Sequence, residues 1–109
     1  MRAALAICAA LALAGCEEAS QATDRVARDS AKKAVAEVIV TRFPMVTKEM
    51  VTPYTDCVID NAEAREIARL AGAAVMGADE DTFILVRSIA TRPGTVKCVA
   101  RRGVLPLAT

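Results

Sequence analysis

The chain has 109 residues, 54% of them hydrophobic, with 14 Lys and Arg against 13 Asp and Glu and no histidine. That length suits one small domain. The near-neutral balance gives no general attraction to nucleic acid or acidic membranes, and without histidine there is no Ser–His or Cys–His nucleophile pair. Phe43, Tyr54 and Phe83 are the only aromatic residues, so the core falls to Val, Ile, Leu, Met and Ala.

The first element is a leader. Arg2 precedes an apolar run from Ala3 to Ala14, followed at once by the polar Glu17, Glu18, Ser20 and Gln21. A membrane-crossing helix needs about 20 apolar residues, so this run is too short to be one. A charged start, a short apolar run and small residues before a cut site describe a secretory signal. Residues 1–15 are therefore predicted to be a signal peptide, cut between Gly15 and Cys16. Residues 16–23 form a polar tether, and residues 24–109 form the folded domain.

Leu13-Ala14-Gly15-Cys16 resembles the lipobox of bacterial lipoproteins. The resemblance implies that the Cys16 thiol receives a diacylglyceryl group and that the new amine is acylated after cleavage. Several acyl chains, each contributing about 0.8 kcal/mol per buried methylene, hold a protein durably where a single chain does not. Membrane lipid, reached through acyl chains on Cys16, is thus an implied partner. In the lipoproteins it resembles, an aspartate after the lipidated cysteine retains the protein at the inner membrane. This chain has Glu17 there, which implies the outer membrane facing the periplasm.

The chain has four cysteines, Cys8, Cys16, Cys57 and Cys98. With Cys8 removed in the leader and Cys16 lipidated, two remain, and thiols of an exported protein are expected to pair. A Cys57–Cys98 bridge would close a loop of about 40 residues and contribute about 4 kcal/mol by chain entropy. Two buried free thiols, or half of a metal site, are the alternatives. Zinc would need carboxylates to complete its shell, and no CxxC lowers a thiol pKa, so no metal and no redox-catalytic pair is expected.

The domain reads as all-α, a small bundle of three to four short helices stapled by one disulfide. Val26, Ala31, Ala34, Val35, Val38 and Phe43 recur at helical spacing, capped by Ser20 or Thr23 and stopped by Pro44. The β-branched Val38-Ile39-Val40-Thr41 leaves a strand as the alternative for its end. Pro44 to Asp56 carries two prolines and no clean period, and reads as a loop packed by Met45, Val46, Met50 and Val51. Asp56 and Asp60 could form an acid–base pair, but Asp60-Asn61-Ala62-Glu63 reads as a capping arrangement for a helix from Ala62 to Ala74. That helix would bury Ile67, Leu70, Ala71 and Ala74 and end near Gly77.

Asp79-Glu80-Asp81-Thr82 lacks the alternating ligands and turn glycine of a calcium loop. It reads as the capped, acidic start of a helix over 80–91 that buries Phe83, Val86, Ile89 and Ala90, with Ile84 and Leu85 widening the face. Pro93 suits the first position of a last helix, with Val96, Val99 and Ala100 inward and Gly103 at its end. Arg87, Arg92, Lys97, Arg101 and Arg102 read either as a patch for anionic headgroups or as solvated helix-end charge. Val104 to Thr109 is a short apolar tail.

The stretches Arg25 to Lys32 (RVARDSAK), Asp56 to Ala62 (DCVIDNA) and Arg92 to Cys98 (RPGTVKC) resemble a set of short, uncharacterised bacterial lipoproteins of similar length. Some of those carry a succinate dehydrogenase label, which would imply flavin, iron–sulfur or haem. The chain has no histidine, no cysteine cluster and no dinucleotide fingerprint, so neither catalytic residues nor a cofactor is expected. The expectation is a lipid-anchored cell-envelope lipoprotein, not an enzyme, that serves as a structural or accessory protein with an envelope protein partner and no nucleic acid. The alternatives are a small periplasmic module binding a lipid or another ligand, and an accessory to a respiratory enzyme.

Overall fold

A computed structural model describes residues 23–103. The lipobox, including Gly15 and Cys16, and the tail 104–109 lie outside the described residues. Among the described residues the fold is all-α, with α1 over 23–42, α2 Lys48–Asp60, α3 Ala64–Met76, α4 Glu80–Ala90 and α5 Pro93–Arg101. The small disulfide-stapled bundle is as expected, with five helices rather than three or four.

Helix α1 buries Ala31, Ala34, Val35, Val38 and Ile39, and Ala27 is half-buried. Val26, expected on this stripe, is 66% exposed, because nine residues place it about 180° around the helix from the buried Val35. The β-branched end remains helical, since burying Val38 and Ile39 outweighs their slight preference for strand. The Thr41 hydroxyl donates to the Glu37 carbonyl at 2.7 Å, and the helix stops ahead of Pro44.

Helix α2 corrects the loop expected from Pro44 to Asp56. Met50 and Val51 are half-buried, Tyr54, Cys57, Val58 and Ile59 are buried, and the set recurs at helical spacing. Pro53 sits inside this helix and cannot donate to the Glu49 carbonyl. The buried face compensates for that missing bond. The next cap is also displaced. Asn61 closes α2, its Nδ2 donating to the Cys57 carbonyl at 2.8 Å, while Glu63 and Glu66 form the capping box of α3.

The later expectations hold at several points. Gly77, with φ 96°, ends α3, and Asp79 caps α4 in a box with Thr82. Pro93 opens α5, and Gly103 follows its end with φ 71°. Ala100 is exposed, however, and Thr95 takes the inward position. The Thr95 hydroxyl is fully buried and donates to the Ile89 carbonyl at 2.7 Å, so this polar side chain enters the core without penalty.

Cys57 and Cys98 are bonded, with Cα atoms 5.6 Å apart and a sequence separation of 41. The bridge joins α2 to α5 inside the core cluster, where Val58, Val86, Ile89 and Val99 are fully buried. Replacing both cysteines by alanine is expected to lower unfolding free energy by about 4 kcal/mol from loop closure alone. Urea denaturation of the oxidised protein and the double variant measures the difference. Equal midpoints would show that the bridge contributes nothing.

Candidate functional site

Among the described residues, two polar clusters and a cleft between α1 and α2 stand out as places where this fold could bind; smaller depressions lie between α3 and α4 and between α1 and α3. The first cluster holds the carboxylate pair on α2. Asp56 and Asp60 lie one helical turn apart and share a face. Lys32 reaches Asp56 at 3.2 Å, Arg102 reaches Asp56 at 3.4 Å and Asp60 at 3.8 Å, and Arg28 reaches Asp60 at 3.8 Å. The two carboxylates therefore tie α1 and the end of α5 to α2. All of these groups are partly or largely exposed, so each pair is worth no more than about 1 kcal/mol.

The second cluster is more enclosed. Arg92 grips Glu66 with two hydrogen bonds of 2.8 and 2.7 Å, and its Nη1 also donates to the Asn61 carbonyl at 2.9 Å. Glu66 accepts a further bond from the Glu63 N–H at 2.8 Å. The paired Arg92 holds the Glu66 carboxyl below its ordinary value, against the opposing effect of burial, and Glu66 in turn raises Arg92. This fork clamps the start of α3 to the start of α5. Beside it, a β-carbon on Gly94 would collide with Asn61 Oδ1, so the turn packs against a position with no side chain.

The acidic run acts as a cap. The Thr82 N–H donates to Asp79 Oδ1 at 2.9 Å, and that bond with the one from the Thr82 hydroxyl holds Asp79 below its ordinary value. Among the described residues, no three carboxylates or thiols gather in a way that could hold a metal ion. The basic patch is divided: Arg92 is committed to Glu66 and Arg102 to Asp56 and Asp60, while Arg87, Lys97 and Arg101 remain exposed. Arg42 lies over the Phe83 ring at 4.0 Å and pairs with Glu80 at 3.0 Å, fastening the end of α1 to α4.

The cleft lies between α1 and α2. Its wider part, about 620 Å³, is lined by Val40, Pro44, Val46, Lys48, Val51 and Thr52. Its narrower part, about 210 Å³, shares Val51 and Thr52 and adds Lys32, Lys33, Ala36, Thr55 and Asp56. Val40 is 65% exposed. The Thr55 hydroxyl is buried and has no hydrogen-bond partner among the described residues. This cleft is not legible in the sequence, because one wall belongs to the stretch from Pro44 to Asp56 that lacks a clean period. The available signal was Val40, an aliphatic residue off the buried stripe of α1.

Of the expected site residues, the structure joins Cys57 to Cys98, while Gly15 and Cys16 lie outside the described residues. Among the described residues no helix is long and apolar enough to cross a membrane. No protein family, curated protein or solved structure matches the chain.

Two outcomes follow from these side chains. Glu66 titrates lower in the folded than in the unfolded chain, so its contribution is complete at neutral pH. It is lost as pH falls from the ordinary value of 4.5 through the lower folded value. Glu66→Gln should therefore cost about 2 kcal/mol at neutral pH, with the gap from the parent protein narrowing in acid, as read by urea denaturation. A gap independent of pH would contradict the ion pair. Thr55→Val keeps the shape and removes an unsatisfied hydroxyl, so it should stabilise by about 1 kcal/mol in thermal melts.

Proposed function

We propose that the protein is a lipid-anchored bacterial cell-envelope lipoprotein that acts through contacts, as a structural or accessory protein, rather than by catalysis. Cys16 carries the acyl chains, Gly15 is the last residue removed, and the helical domain hangs from a short polar tether. Glu17 after the lipidated cysteine favours the outer membrane, with the domain facing the periplasm. An envelope protein is the partner in this reading.

The observation that carries it is the Cys57–Cys98 bridge, because structural disulfides persist in oxidising compartments and are rare in the cytosol. It agrees with a leader of secretory type and with a lipobox that leaves these two cysteines to pair. The polar clusters add to it: their charges join helices to one another, which suits a compact body that presents surfaces. The open cleft between α1 and α2 favours a second reading, a small periplasmic module that binds a lipid or other apolar ligand.

Cys16→Ser should move the protein from the membrane fraction to the soluble fraction of bacterial envelopes. Mass spectrometry of the parent protein should find residues 16–109 with acyl chains on Cys16. A free Cys16 thiol, or unchanged fractionation of the variant, would defeat the anchoring reading.

A further inference from the structure

We propose that the cleft between α1 and α2 binds an anionic single-chain amphiphile, its acyl chain along Val40 and Val51 and its carboxylate at Lys33. The cleft is built from residues 32–56, so the inference does not depend on how Cys16 is modified.

Two observations select this ligand class. First, the floor is aliphatic and accessible: Val40, Val46 and Val51 line the wider part, whose volume falls within the range of small-molecule sites. Second, the rim is cationic. Lys33 and Lys48 form no ion pair among the described residues, while the neighbouring Asp56 is already held by Lys32 and Arg102. An anionic head therefore meets uncommitted positive charge beside an apolar surface.

Length limits the ligand further. From Lys48 to Asp56 the cleft runs roughly 12 Å along α2, a span suited to a chain of about ten carbons. Both the chain and the head matter: an apolar molecule alone would not use the lysines, and a bare anion would not use the valines.

The test is an NMR titration of the isotope-labelled full chain carrying Cys16→Ser, with sodium decanoate and with uncharged decanol as probes. Decanoate should give saturable shifts confined to residues 32–56 and bind more tightly than decanol. Shortening the acid by one methylene should weaken binding about twofold to fourfold. Val40→Asp and Lys33→Glu alter exposed positions, which keeps the fold intact, and each should weaken decanoate about tenfold. No saturable shift below the micelle concentration would overturn the proposal, as would decanol binding as tightly as decanoate. Loss of self-association in Val40→Asp, with decanoate binding unchanged, would assign the cleft to a second copy of the chain and overturn it too.

Discussion

One covalent bond decides how this domain holds together. The bundle has three aromatic residues and a core built largely of valine, isoleucine and alanine, and small domains have little stability to spare. The Cys57–Cys98 bridge restricts the unfolded chain and fixes α5 against α2. Helix α4 then packs against both, and α3 against α4. The bridge sits within the apolar cluster, so the residues that gain most from burial surround it.

Charge supplements that staple at the seams. Asp56 and Asp60 draw α1 and the end of α5 onto α2, and Glu66 with Arg92 locks the start of α3 to the start of α5. These contacts differ in weight. The exposed network around α2 is screened by solvent, whereas the two-pronged Arg92–Glu66 bond is more enclosed and also organises a helix cap. Among the described residues such use leaves Lys33 and Lys48 outside any ion pair, flanking the cleft between α1 and α2 that the anionic ligand is proposed to fill.

Much of the fold could be read from the sequence because its signals were local. Pro93 at a helix start, Gly77 at a helix end and the Asp79–Thr82 cap each depend on neighbours within a few residues. The pairing of Cys57 with Cys98 was legible for a different reason, the small number of thiols left to pair. Helix α2 was missed because Pro44 and Pro53 outweighed a real stripe of Val51, Tyr54, Val58 and Ile59. Its stability comes from packing against α4 and α5, which no local signal records. Glu63 in place of Asp60 as the α3 cap was hidden in the same way, since Arg92 from a distant segment orients Glu66. The cleft was illegible for the combined reason: one wall belonged to the unrecognised helix, and the other to the outward face of α1.

The disulfide also divides the molecule mechanically. Residues 57–98 form a closed covalent ring that contains α3 and α4 whole, while α1 lies outside it. A pull applied through the residues before α1 would load only non-covalent contacts: the Arg28, Lys32 and Arg42 pairs and the buried side chains of α1. Helix α1 is therefore the part that peels first under tension, and peeling it opens the cleft it shares with α2. The ring beneath would keep its length, so a body tethered by its N-terminal end would yield in two stages, first α1 and then the rest.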